Sequence, residues 1–355
     1  MKKIAFITHS FHQFTKSANI YIEEIFGDTN EFEVDIFYNY EWGSKDRFKK
    51  FDEKIENYDA VIILQLISFN LLKNIKCKNI IFMPMYDYSR NFSIQKWLPS
   101  ANLKILTPVS AMSNKLNSIG LSSFEFKYFP EVSGYEMPNF TNVYFWNRVE
   151  KIDYKTVLKL LSDYKFSSLN IHKLSDPGHN PPVPSNNEIK KYNITFTDWY
   201  DSKDDYIKQL GKYGIYIAPR PFEGGAAAFI DALKTGSIVI APNLPPFNEY
   251  IEDKKNGFLY NMNNPTPLLL DQYNLEKISV SAYESVKQGR EDFKSSLSHI
   301  HDFIFNKEEN LYPVSYFEYI EKAFENPWFR FSALTRKDKI KVIFKFVFSK
   351  FKSNY

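Results

Sequence analysis

The sequence contains a single cysteine, Cys77, in 355 residues. That excludes an internal disulfide and is compatible with a reducing cytosol. No apolar run reaches the roughly 20 residues a membrane-spanning helix needs. The expectation is a soluble or peripheral protein. The opening apolar run, residues 4–7, is too short for a secretory signal and reads as a first buried strand. Charge of one sign is not in excess. The net value of +3 is too small to imply nucleic-acid binding by itself. Several chemical signatures are missing as well. There is no Gly-x-x-x-x-Gly-Lys-Ser/Thr loop and no nucleophilic-serine elbow. His299 and His301 fall in a helical stretch with no cysteine or carboxylate spacing for zinc.

What is present is a regular alternation. Residues 4–8, 34–38, 60–64, 79–83 and 104–108 read as buried parallel strands, with a further strand at 123–128. Helices are expected at 17–26, 45–56 and 111–118. Residues 131–140 carry Gly134 and Pro138, break the pattern and read as an interdomain linker. A second set follows. Its strands are expected at 142–146, 169–173, 193–197, 214–218 and 237–241. Its helices are expected at 154–164, 203–210, 226–235 and 275–304, with a proline-rich loop at 176–185. The length suits two domains, and the alternation argues that each is a doubly wound α/β unit.

The densest chemistry lies between Pro219 and Gly236. Glu223 and Asp231 stand eight positions apart around Gly224, Gly225 and a run of small residues that opens a helix. Exposed N–H groups at a helix start receive phosphate oxygens, and the helix dipole favours their charge. Small residues let a ligand approach the backbone closely. Just over two helical turns separate the two acids, so they could serve opposite ends of one long ligand.

The order of these features resembles the donor site of retaining glycosyltransferases with the GT-B fold, in the large family 4 group. The matching order is a strand, Pro-x-x-x-Glu-Gly, small residues, a second acid, then Ala-x-x-x-Gly and an apolar strand. The segments Ala241-Pro242-Asn243, Glu249-Tyr250-Ile251 and Asn256-Gly257-Phe258-Leu259-Tyr260 extend the likeness. It is strong over residues 213–261 and weaker to about 330. The resemblance implies two Rossmann-like domains facing a cleft. Residues 1–140 would bind the acceptor and 141–310 the nucleotide sugar. Residues 311–335 would cross back to the first domain.

By the same resemblance, Glu223 sits beside the donor sugar. The backbone of Gly224, Gly225 and Ala226 holds the diphosphate, and Asp231 accepts from the ribose hydroxyls. The family usually has Glu at this last position. Arg148 and Lys151, with Lys155 as the rival of the latter, would neutralise the departing diphosphate; two cations strengthen as charge develops on the leaving oxygen. Trp199, beside the expected base pocket, would stack or shape it, with packing as the alternative. In the first domain Tyr86 and Asp87 follow a strand where many members have His-Asp. Asp87 is the candidate for orienting the acceptor hydroxyl, or else caps the next helix. His9 and His12, after the first strand, would touch the acceptor or a phosphate, or are simply solvated.

No Asp-x-Asp triplet of the metal-dependent transferases occurs. The expectation is a metal-independent transferase with no cofactor beyond its nucleotide-diphosphate sugar. The alternative is a non-catalytic sugar-nucleotide-binding partner subunit of another transferase. A 2-epimerase on the same fold is disfavoured, because its histidine and carboxylate set is not evident.

The tail, residues 336–355, lies outside the resemblance. Ile340, Ile343, Phe344, Val347 and Phe351 share one helical face, with Lys337, Lys341, Lys345 and Lys352 mostly on the other. A basic, aromatic amphipathic helix suits an anionic membrane surface. It would hold the enzyme at the inner face of the plasma membrane, next to an acceptor of the undecaprenyl-diphosphate-linked kind, in O-antigen or capsule synthesis. The alternative is a helix packed on the protein with its lysines solvated. Deleting residues 336–355 is expected to abolish co-sedimentation with anionic liposomes; unchanged sedimentation would remove the membrane role.

Overall fold

The computed structural model describes residues 1–27, 30–40, 51–101, 103–225 and 227–306. The chain divides into two compact units. The first comprises residues 1–126 and, among the described residues, 296–306; the second comprises residues 127–295.

The first unit is built on a parallel sheet of β1 (Lys2–His9), β2 (Phe32–Asn39), β3 (Ala60–Leu64), β4 (Ile80–Met83), β5 (Lys104–Thr107) and β6 (Phe124–Glu125). The strand order is β2-β1-β3-β4-β5-β6. β3 and β4 are buried along their whole length, which is why their sequences are continuous rather than alternating apolar runs. Ile63, Phe82, Ile105 and the fully buried Trp97 meet in one core with Met112 and Leu116 of the helix Ser110–Ser118.

The second unit repeats the plan with β7 (Asn142–Trp146), β8 (Ser168–His172), β9 (Ile194–Thr197), β10 (Ile215–Ile217), β11 (Ile238–Pro242) and β12 (Gly257–Tyr260). All pairings are parallel, in the order β12-β11-β10-β7-β8-β9. β10 lies beside β7, with Ile215 opposite Val143 and Ile217 opposite Phe145. The chain therefore builds outward from β7 on one side and from β10 on the other. That is the topological switch point at which open α/β sheets bind ligands.

Most expected elements are present within a residue or two. Of the helix expected at 45–56, residues 45–50 lie outside the described ones, and 51–56 are not helical; Ile55 is bridged to Ile75 and buried in the core. A buried apolar anchor overrides helical periodicity here. The helix expected at 154–164 ends at Leu160, and β6 is only two residues long.

The domain boundary also moves. Residues 127–140, read as the end of the first domain and, from 131, as a linker, belong to the second unit. The buried Arg290 holds them there. It donates to Glu131 Oε1 through Nε (3.0 Å) and Nη2 (2.8 Å), and to the Phe129 carbonyl through Nη1 (3.0 Å). Tyr283 donates to the Ser133 carbonyl (2.6 Å). At the other end, the return to the first unit begins inside the long helix Leu275–Phe305, not at 311. Phe303 stacks on Phe124 (5.0 Å) and Phe305 on Phe32 (5.5 Å). The buried Lys104 ammonium donates to the carbonyls of Ile304 (3.2 Å) and Asn306 (2.5 Å), a cation where the helix dipole is negative. Residues 311–335 and the tail 336–355 lie outside the described residues. Among those described, no helix is long and apolar enough to cross a membrane.

Gly214 shows how tightly residues 139–140 are packed. A Cβ there would lie 2.4 Å from Phe140 Cα and 2.5 Å from its N. Gly214→Ala is expected to destabilise the second unit by about 1–3 kcal/mol through overpacking. A lower urea midpoint at unchanged slope would show it.

Candidate functional site

Three loops meet at the carboxyl ends of β10, β7 and β8, which are neighbours in that order. The β7 loop carries Arg148, the β8 loop Asp176, and the β10 loop Arg220 and Glu223. The four side chains form one ionic cluster. Arg148 Nε donates to Asp176 Oδ1 (2.8 Å), and its Nη2 lies 2.6 Å from the same oxygen. Arg220 Nη1 reaches Asp176 Oδ2 (3.3 Å), and Nε reaches Glu223 Oε1 (3.3 Å). Arg220 Nη2 donates to Glu223 Oε2, and Arg148 Nη1 stands 3.9 Å from Oε1. The Glu223 side chain is only 7 % exposed. A carboxylate so buried needs paired charge, and two guanidiniums supply it. The Arg148 guanidinium also lies 4.5 Å over the Trp146 ring.

A second cluster surrounds Asp231, in the helix Ala227–Lys234. Lys234 Nζ is 3.7 Å and Lys203 Nζ 4.0 Å from Asp231 Oδ1. Burial pushes the Asp231 carboxyl up from its ordinary value, and the two ammonium groups oppose that shift. Tyr216 is buried in the middle of β10, and its hydroxyl is pushed up by burial and, less, by the Glu223 carboxylate. The hydroxyls of Tyr206 and Tyr216 are buried with no hydrogen-bond partner. Buried donors of this kind are where a polar ligand or an ordered water is accommodated.

Of the residues expected on the donor side, Arg148 and Glu223 come together, and Gly224 and Gly225 follow Glu223 directly. Asp231 lies at the second cluster. Ala226 is outside the described residues. Lys151 is exposed on the turn after β7 and takes no part in the ionic cluster; Lys155 is exposed too. Trp199 is 61 % exposed on the loop after β9. Its neighbour Tyr200 is the stacked residue, 5.1 Å from the His172 ring at an angle of 17°.

Arg220, Asp176, Lys203 and Lys234 were not anticipated. Arg220 had a signal, since it precedes Glu223 by three residues in the same loop. Asp176 had a weaker one, at the carboxyl end of an expected strand before Pro177-Gly178. Lys203 starts a helix distant in sequence, and only packing brings it to Asp231.

The acceptor-side residues lie in the first unit. His9 is buried, and its Nδ1 accepts from the Phe11 N–H (2.8 Å). His12 Nδ1 pairs with the Thr8 hydroxyl (2.6 Å), and the rings lie 5.8 Å apart. Burial, reinforced by His9, lowers the His12 value to about 4. Tyr86 and Asp87 open the short helix Tyr86–Ser89 directly after β4. Asp87 Oδ1 accepts from the Tyr88 N–H (2.9 Å), and the carboxylate helps to raise the buried Tyr21 hydroxyl.

His172 lies under the arginine cluster, between Trp146 and Tyr200. Burial lowers its value from 6.5 to about 4. The unfolded chain therefore takes up this proton first. The stability contribution is complete above pH 6.5 and is lost as the pH falls from 6.5 to about 4. The melting temperature is expected to drop across that window, and His172→Gln should flatten part of the drop.

No known family profile matches the sequence, and no curated protein is similar to it. Solved structures are similar in fold. HepE of Anabaena, solved with UDP and glucose, superposes with a TM-score of 0.57 at 13% identity, over 84% of this chain and 100% of that one. A glycosyltransferase of Rickettsia africae gives 0.56 at 12%, over 86% and 99%. The lipopolysaccharide outer core galactosyltransferase WaaB gives 0.54 at 15%, over 86% and 99%. The chain spans only 56% of the longer Staphylococcus aureus TarM, with a TM-score of 0.47 at 17% identity. At these identities the likeness is one of fold, and it agrees with the strand orders above: the chain has the GT-B fold, with two Rossmann-like domains.

Proposed function

We propose that the chain is a glycosyltransferase that takes a sugar from a nucleotide-diphosphate donor bound in the second domain. The observation that carries this reading is the convergence of Arg148, Arg220 and Glu223 at the switch point of the second sheet, beside the bare backbone of Gly224 and Gly225. Two guanidiniums suit a diphosphate, because each presents a planar pair of donors to phosphate oxygens. The Gly224–Gly225 backbone, leading into the helix Ala227–Lys234, offers further N–H donors. Asp231, at the other end of the site, is an acceptor for ribose hydroxyls, and Tyr216 and Tyr206 offer hydroxyls beneath it. HepE, of the same fold, was solved with UDP and glucose, which supports a uridine nucleotide sugar as the donor class.

In this mechanism the anomeric bond breaks toward an oxocarbenium-like state. Arg148 and Arg220 stabilise the charge that develops on the departing diphosphate. Arg220 takes the place expected of Lys151. Glu223 positions the sugar and supports its positive charge. Asp87 orients the acceptor hydroxyl, with His9, His12 and Tyr86 on the acceptor side. At neutral pH His12 is uncharged and serves as a hydrogen-bonding group. The acceptor oxygen bonds to the anomeric carbon from the face that the diphosphate leaves, and the leaving phosphate oxygen takes its proton, so transfer proceeds with retention. No metal is required, because protein groups carry the charge compensation. The acceptor is a saccharide on a lipid carrier, in bacterial surface-polysaccharide synthesis such as O-antigen or capsule. The chain is cytoplasmic, with residues 336–355 resting on the inner face of the membrane.

A thermal-shift panel of UDP-, GDP-, dTDP- and CMP-sugars tests the donor site. One nucleoside-diphosphate sugar is expected to raise the melting temperature, and Arg148→Ala to remove that shift. Glu223→Ala should remain folded but lose transfer; full transfer activity in this variant would overturn the assignment.

A further inference from the structure

The two arginines of the ionic cluster already hold anions. Asp176 bridges them, with one oxygen on Arg148 (2.6 Å) and the other toward Arg220 (3.3 Å). Glu223 completes the set. Among the described residues, the two guanidiniums and two carboxylates of the cluster balance in formal charge. A diphosphate would add negative charge to a cluster that is already neutral and largely withdrawn from water. In such a setting unpaired charge is expensive, so one carboxylate must leave as the phosphates arrive.

The surroundings distinguish the two acids. The Glu223 side chain is 7 % exposed, and that of Asp176 is 20 % exposed. Glu223 sits directly before the glycine pair, and Asp176 belongs to a loop that runs alongside the arginines. That loop, residues 174–182, is fastened at both ends and clasped between. Trp146 Nε1 donates to the Leu174 carbonyl (2.7 Å), and Asn147 Nδ2 to the Pro182 carbonyl (3.1 Å). Between them His179 Nδ1 meets Glu150 Oε2 (2.6 Å), and the Asn180 N–H donates to Glu150 Oε1 (2.5 Å). The His179–Glu150 clasp is on the surface, with side chains 42 % and 49 % exposed. Surface pairs of this kind are weak. Asp176 is itself tied through its backbone, its N–H donating to the Arg148 carbonyl (3.0 Å) and its carbonyl accepting from the His179 N–H (3.0 Å), so its carboxylate leaves the arginines by rotation of the side chain as the clasp loosens, not by detachment of the loop.

We infer that Asp176 is a resident counter-anion of Arg148 and Arg220, which the diphosphate of a nucleotide ligand displaces on binding and which returns as the diphosphate leaves. It is a positioning residue: it keeps both guanidiniums extended and paired in the empty site. It also sets the affinity for the diphosphate, because every ligand must first break its contacts with both arginines. The consequence for turnover is faster release of the nucleoside diphosphate product, whose place Asp176 retakes. This inference rests on the donor-site reading given above.

Calorimetric titration of the full-length protein with inorganic pyrophosphate, UDP, GDP, dTDP and ADP tests it. Asp176→Asn keeps the size of the side chain but removes its charge and one of its two acceptor oxygens. It is expected to tighten binding of the preferred diphosphate by about tenfold, and to leave binding of the uncharged nucleoside unchanged. Glu150→Gln loosens the clasp from outside the arginine cluster. It should shift affinity in the same direction by about threefold, and it decides the matter if the first variant does not fold. Unchanged or weaker diphosphate binding would mean that Asp176 only orients the arginines. That overturns the inference and leaves the donor-site reading standing. Absence of binding to every compound, in wild type and variants alike, overturns both.

Discussion

Two arginines that must be paired wherever they lie, Arg148 and Arg220, organise the carboxyl edge of the second sheet. Neither can be taken out of water without a partner, and Asp176 and Glu223 are the partners available. The pairing pins three loops together that share no local sequence. It also explains how Glu223 can be almost wholly buried. Remove the arginines and an acid is stranded beside apolar strands; remove the acids and two cations are. The site is therefore held in shape by the same groups that its chemistry would use.

That arrangement depends on strand order. β7 and β10 are distant in sequence but adjacent in the sheet, and their loops leave from the same edge. The residues of β10 and β7 that build the shared core, Ile215, Ile217, Val143 and Phe145, face inward at fixed register. Parallel pairing then places the loop after each strand at the same end. The site follows from packing that has nothing to do with a ligand. Aromatic residues extend the floor: Tyr144 and Tyr216 stack at 5.9 Å, and His172 lies between Tyr200 and Trp146.

Much of this was legible in the sequence, for particular reasons. Strands β3, β4, β7 and β10 were plain because each is a short apolar run bounded by polar residues. Glu223 and the glycine pair stood out because backbone approach and a helix start leave a compositional trace. Arg148 was legible by its position at the end of a strand. Other features left no such trace. Arg290 and Glu131 tie residues 127–140 to the second unit across a long separation in sequence, so the linker reading was displaced by an ion pair. Residues 51–56 carried a helical pattern, but they are not helical, and Ile55 is bridged to Ile75 and buried in the core. Lys151 was joined to Arg148 only by the resemblance, with Lys155 as its rival, and both lysines are exposed.

The sequence by itself determined the fold class, the strands of both sheets except β12, and the acid–glycine segment, because these are written in local periodicity and in residues with special backbone freedom. The tertiary structure alone decided which charges meet. Arg220 joins Arg148 through Asp176, Lys203 reaches Asp231, and residues 127–140 and 296–306 change units, because electrostatic pairing acts across space and the sequence records only the separate ends of each pair.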